Sequence, residues 1–300
     1  MKRISRRGAL AAAVTATISV ALALLVGCTP ASLLNGISRI APNGDAAEQA
    51  ASGVAFGPDP RLKLDVWVPK ARGHAAALPV VLFFYGGGWV AGQRGDYGFA
   101  GRAFAAQGFV AIVPDYRLVP AVHFPAFIED GALAVKWARD HAADYGGDPR
   151  RITLAGHSAG SYIGAMLALD RHYLADAGVD PTIIRAAAFL SGPYDFYPFT
   201  ESRGRDALGN WPRPRETQPI SFVRRDAPPM LLITGTADTV VRPRNSERLA
   251  AALARAGATV ELKRYAGRSH VDTVKALSPI FRRSNPALAD SVAFLKAHSR

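Results

Sequence analysis

The sequence predicts an α/β chain: a mostly parallel central sheet with helices on both faces and a short inserted cap. Three observations carry this. Short continuous apolar runs recur, of the kind that form strands buried on both faces. Amphipathic stretches with apolar residues every three or four positions lie between them. Strand-like and helix-like segments alternate along the body, which is the pattern of a parallel sheet joined by crossover helices.

Taken in order, LKLDVWV (62–68) alternates like a half-buried strand, and LPVVLFFY (78–85) is a continuous apolar run. Glycines from Gly86 to Gly92 break that run, and a helix is expected from about Tyr97 to Gln107. FVAIVP (109–114) reads as the next buried strand. Residues 124–146 then form a long amphipathic helix that Gly146-Gly147 stops. RITLAG (151–156) is a strand, followed by a helix from Ser158 to Asp170. RAAAFLS (185–191) and PMLLITG (229–235) are strands, with a helix from about Arg244 to Ala256 after the second. TVELKRY (259–265) is the last strand, and Pro286 to Ala297 the closing helix. Residues 192–228, rich in Pro, Trp, Tyr and Arg, interrupt the alternation and read as the cap.

The first thirty residues have a different character. Lys2, Arg3, Arg6 and Arg7 precede an uncharged apolar run from Gly8 to Cys28, the layout of an export signal. Ser5-Arg6-Arg7-Gly8-Ala9-Leu10 resembles a twin-arginine signal, and Leu25-Val26-Gly27-Cys28 resembles a bacterial lipobox. The expectation is a signal over 1–27, an exported lipoprotein held in a membrane of the cell envelope through lipidated Cys28, a tether over 28–58 and the folded domain over 59–300. An uncleaved N-terminal anchor is the alternative. Cys28 is the single cysteine of the chain, so no disulfide framework exists.

The chain carries a formal charge of +12. Outside the N-terminus its basic residues are scattered singly or in pairs, such as Arg150-Arg151 and Arg282-Arg283. A nucleic-acid groove needs a dense basic stripe with interleaved aromatics, so no nucleic-acid partner is expected. Oligomeric state is left open.

In an open parallel sheet, ligands sit at the carboxyl ends of the strands, and reactive residue types gather there. Ser158, in GHSAG, follows the strand RITLA and opens a helix, the setting of a nucleophile elbow with small residues on either side. A serine needs a base, and the base an orienting carboxylate. Asp238 follows one late strand in GTADTVV, and His270 follows the last in YAGRSH. His157 is read as a packed neighbour, and His74, His123, His141, His172 and His298 as structural or surface residues. Asp272 is too near His270 in sequence to orient it. FFYGGGW (83–89) places bare backbone N–H groups of Gly86, Gly87 or Gly88 after a strand, where with the N–H of Ala159 they can face a developing oxyanion.

The combination YGGGW, PDYRLVP…FPAFIEDGALAVKW, GGDPRRITLAGHSAG, SGPYDF, GTADTVV and His270 resembles the esterase/lipase branch of the α/β-hydrolases, typified by hormone-sensitive lipase and small carboxylesterases, close to the feruloyl-esterase-like group. The match covers about residues 60–297. It implies a serine hydrolase acting on a small-molecule ester, without metal or cofactor, with Ser158, Asp238 and His270 at the triad positions. One departure is that Tyr85 stands where the family usually has the histidine of its oxyanion loop; a phenol can also donate and accept. Tyr85, Trp89, Tyr194, Phe196 and Trp211 either line an aromatic substrate pocket or fasten the cap to the body. The short cap points to small acyl or aryl esters. Two alternatives are an arylformamidase of the kynurenine-formamidase kind and a non-catalytic surface-anchored binding protein on the same scaffold.

Overall fold

The computed structural model describes residues 29–41, 46–71 and 77–299; the expected signal, Cys28 and His74 lie outside them. Its strands are β1 (Ala47–Ala55), β2 (Lys63–Pro69), β3 (Leu78–Phe84), β4 (Val110–Pro114), β5 (Gly147–His157), β6 (Ile184–Leu190), β7 (Met230–Gly235) and β8 (Val260–Tyr265). Its helices are α1 (Pro30–Ile40), α2 (Gly98–Ala106), α3 (Ala126–His141), α4 (Ala159–Leu169), α5 (Arg171–Asp176), α6 (Ser202–Leu208), α7 (Arg244–Ala256), α8 (His270–Lys275) and α9 (Ala287–His298).

The strands form one sheet in the order β1-β2-β4-β3-β5-β6-β7-β8. β2 pairs antiparallel with both β1 and β4, and every pairing from β4 to β8 is parallel. This is the α/β-hydrolase fold. The continuous apolar runs become its middle: every residue of β4 and β7 is buried, as are six of the seven in β3. α2 and α9 touch each other and pack on β2, β4, β6 and β7, while α3 and α4 pack together on β3 and β5. All eleven residues of α4 are buried, so this helix shows no polar face. α7 keeps Leu249, Ala250 and Leu253 inward and ends at Gly257, whose φ of 81° lets its N–H turn back to the carbonyls of Leu253 and Ala254.

The expected tether over 28–58 is corrected where the structure describes it. Thr29 caps α1 by accepting the N–H of Ser32 at 3.1 Å, and Pro30 starts the helix. Asn35 of α1 donates to the Gly95 carbonyl at 2.6 Å and accepts from the buried Arg102 at 2.8 Å. Ser38 meets Ser278 at 2.7 Å. β1 then lengthens the sheet by pairing along β2. Its small Ala, Ser and Gly side chains read as linker, yet an edge strand is joined through backbone groups that every residue carries.

Residues 192–228 lie between β6 and β7 and form α6 and two single turns of 3-10 helix over the carboxyl end of the sheet. Hydrogen bonds from several elements fasten this cap: Tyr162 donates to the Thr217 carbonyl at 2.7 Å, the Phe124 N–H to the Ala207 carbonyl at 2.9 Å, and the Tyr194 N–H to Asn245 Oδ1 at 3.0 Å.

Candidate active site

Ser158 sits on the turn between β5 and α4 with φ 54° and ψ −121°, backbone that a side-chain-bearing residue adopts only under constraint. The constraint is crowding. A Cβ on Gly160 would collide with the Phe84 carbonyl, and one on Gly156 would come within 2.8 Å of the Gly160 backbone. Only glycine lets β5 reverse into α4 this tightly, and the reversal lifts the hydroxyl above the sheet.

β7 and β8 deliver the other two side chains. Asp238 follows β7, and its side chain is fully buried; its Oδ1 accepts the N–H groups of Val240 at 3.0 Å and Val241 at 2.8 Å. That leaves Oδ2 for Nδ1 of His270, 2.8 Å away. On the other edge of the ring, Nε2 lies 2.9 Å from Ser158 Oγ. The three residues expected from the sequence therefore form one continuous hydrogen-bonded relay. With Nδ1–H donated to the carboxylate, Nε2 is free to take the serine proton.

His270 opens α8, and local contacts fix that start. Ser269 caps the helix, and its N–H and hydroxyl both donate to Asp272 at 2.8 and 2.7 Å. Lys275 and Ser269 together hold the Asp272 carboxyl below its ordinary range. Asp272 is thus a capping residue and does not orient His270. His157 lies against His270, ring centroids 4.7 Å apart, and donates Nε2–H to the His270 carbonyl at 3.1 Å. Burial, with the charge on His270 second, pushes its pKa down to about 3. It is a neutral prop.

The glycine loop runs beside the serine: a Cβ on Gly86 would stand 3.2 Å from Ser158 Cβ. Gly87 and Gly88 have φ of 143° and 62°. The N–H groups of Gly86, Gly87, Gly88 and Ala159 have no protein acceptor among the described residues. Ala159 is the first residue of α4, where a helix leaves its N–H unpaired.

The aromatic residues divide. Trp89 stacks on Phe196, centroids 6.2 Å apart with an 11° tilt, and meets Tyr162 edge-on; these two rings border the glycine loop. Tyr85 is corrected from a pocket residue to a support beneath the loop. Fully buried between Tyr97 and Tyr116, it donates its phenol to Asp115 at 2.8 Å. Burial, with Tyr116 and Asp115 adding, holds that phenol protonated well above its ordinary pKa. Tyr194 is likewise fully buried, against Gly192 and Ser161. Trp211 packs on Phe124 and donates to Glu216 at 3.1 Å. It faces a separate cavity of about 730 Å³, lined also by Glu129, Tyr173 and Phe222 and by none of the relay residues.

Residue-type reasoning missed what holds the loop from below. Asp115 accepts from Tyr85, from the Arg94 N–H at 2.7 Å and from the Arg94 guanidinium at 2.6 Å. Arg61 reaches the Gly92 carbonyl at 2.6 Å and the Tyr116 carbonyl at 2.8 Å. The PDYR stretch at 114–117 was the only signal of this network. Among the described residues no cluster of His, Cys, Asp or Glu is arranged to hold a metal.

Fold and site together define an α/β-hydrolase with a candidate Ser–His–Asp triad. More narrowly, the chain belongs to the BD-FAE family, whose model matches residues 64–253. It is similar to Esterase LipC of Mycobacterium tuberculosis, at 36% identity over 63% of this chain and 51% of that protein. Among solved structures it is similar to esterase 2 of Thermogutta terrifontis, with a TM-score of 0.69 and 26% identity over 85% of this chain and 96% of that one. It also resembles a truncated carbohydrate esterase from gut microbiota in fold, with a TM-score of 0.72 and 23% identity over 86% and 99% of the two chains. The chain spans about half the length of the first curated relatives it matches.

Proposed function

We propose that this protein hydrolyses carboxylic esters of small acyl or aryl groups through an acyl-enzyme on Ser158. The observation that carries the reading is the relay, with His270 Nε2 2.9 Å from Ser158 Oγ and Asp238 2.8 Å behind the ring. His270 takes the hydroxyl proton as Oγ attacks the ester carbonyl, and Asp238 steadies the imidazolium that forms. N–H groups of Ala159 and of Gly86 and Gly87, or of Gly88 in place of Gly86, hold the oxyanion. His270 then gives the proton to the departing alcohol. Water, activated by the same imidazole, attacks the acyl carbon, and the proton returns to Ser158 as the acid leaves. The names of the relatives and solved structures, which are esterases, support the ester bond as the target. Trp89 and Phe196 supply an apolar wall beside the reacting carbonyl.

Nitrophenyl esters of graded acyl length test this. The wild type is expected to turn over the short ones, and Ser158→Ala to lose about 10⁶-fold in kcat with an unchanged circular-dichroism spectrum. A Ser158→Ala protein that keeps its rate would overturn the assignment.

The second part of the proposal is that Cys28 is lipidated and holds the protein at a membrane, supported by the apolar run ending in Leu25-Val26-Gly27-Cys28. Growth with radiolabelled palmitate should label the wild type and not Cys28→Ala; equal labelling of the two sinks the idea.

A further inference from the structure

We propose that Arg203 of the cap forms an anion subsite beside the oxyanion loop, so that the favoured substrate is an ester carrying a carboxylate close to the scissile bond. This rests on the hydrolase reading above and names the substrate class of that site.

Arg203 is the second residue of α6, and its side chain reaches down onto the glycine loop. A Cβ on Gly88 would lie 2.7 Å from Arg203 Cδ and 3.3 Å from its Nη1. The aliphatic stem therefore rests on the bare Cα of Gly88, and the guanidinium is held at the loop. Gly88 lies between Gly87 and Trp89 in the loop, so the fork of N–H donors is held beside the loop that carries the oxyanion donors. A residue with a side chain at 88 would occupy the space that Arg203 uses.

The guanidinium is exposed, and it makes no hydrogen bond or ion pair with any described residue. Its neighbours in the cap differ. Arg205 is tied to the carbonyls of Phe199 and Thr200 at 3.4 and 2.8 Å, and Arg213 to Glu216 at 2.6 Å. The cap carboxylates of Asp195 and Glu216 are engaged by Arg248 at 2.9 Å and by Arg213. Neither Glu201 nor Asp206, close to Arg203 in sequence, comes within ion-pair distance of it. A planar guanidinium presents paired donors that match a carboxylate two to two. The chain's net charge of +12, which stays positive once Lys2, Arg3, Arg6 and Arg7 of the expected signal are set aside, favours the approach of an anion.

The test is a pair of ratios. On the acyl side, 4-nitrophenyl valerate is compared with 4-nitrophenyl hydrogen glutarate; on the alcohol side, 4-methylphenyl acetate with 4-acetoxybenzoate. For each pair, kcat/KM of the anionic over the neutral ester is measured in the wild type and in Arg203→Gln. An exposed charge-assisted pair should lower that ratio about three- to tenfold in at least one of the two pairs. Arg203→Lys should recover part of the loss, and added salt should shrink the wild-type preference. Ratios within about twofold of each other in both pairs would overturn the anion subsite while leaving the esterase reading intact. A wild type that hydrolyses none of the four esters overturns the hydrolase reading, and the subsite with it.

Discussion

His157 and His270 are adjacent in space and opposite in character. Both are buried, but His270 has a carboxylate on one edge and a hydroxyl on the other, whereas His157 has one carbonyl partner and an unpartnered Nδ1. An imidazole buried this way stays neutral, and its folded pKa of about 3 lies well below the 6.5 of a free side chain. Between those values the unfolded chain binds a proton that the folded protein refuses, so stability falls as pH drops below about 6.5. From pH 7 to pH 5 His157 should cost the wild type about 2 kcal/mol. Urea unfolding of wild type and His157→Gln at both pH values checks this. The variant, which keeps an amide donor for the His270 carbonyl, should lose less by about that amount; equal losses would refute a neutral buried His157. Sequence already separated these two histidines, because a residue beside the elbow serine is badly placed to face it. It did not separate Tyr85 from Trp89. Both flank the glycines, and the positive φ values of Gly87, Gly88 and Trp89 turn the chain between the two rings, which residue type alone does not show.

At the scale of elements, the glycine loop depends on groups far from it in sequence. Arg61, Arg94 and Asp115 converge beneath residues 85–92, joined to the Tyr85 phenol. Where a histidine prop is usual, here a phenol donates to a carboxylate and an arginine holds that carboxylate in place. Such a network is illegible in a linear reading: each member is an ordinary charged residue at a strand end or in a loop, and only the sheet order brings β2, β3 and β4 side by side. Central strands were legible because burial on both faces demands unbroken apolar runs. β1 was not, since an edge strand with small side chains carries no hydrophobic pattern. α1 was hidden in the same way. It buries Leu34, Asn35 and Ser38 but leaves Leu33, Ile37 and Ile40 exposed, and so shows no clean apolar stripe facing inward. α8 is a single capped turn of six residues, too short for periodicity to reveal.

On the scale of the whole molecule, the parallel sheet turns distance in sequence into proximity. β5, β7 and β8 end at one rim, and the loops that follow carry Ser158, Asp238 and His270 into hydrogen-bonding contact across 112 and 32 residues of chain. The cap comes from the crossover between β6 and β7 and closes over the same rim, which is why its Arg203 meets the loop after β3. The three residues of the hydrogen-bonded relay were legible in the sequence, because serine, aspartate and histidine fell in order at strand ends; the lining of the site was not, because the cap has no regular pattern to place its rings. The most direct test of the central claim is covalent labelling with a fluorophosphonate followed by peptide mass mapping. The account predicts one phosphonyl adduct, on Ser158, formed rapidly in the wild type, slowed about 10³-fold or more in His270→Ala, and absent from Ser158→Ala. An unlabelled wild type, or an adduct that persists in Ser158→Ala, would contradict it.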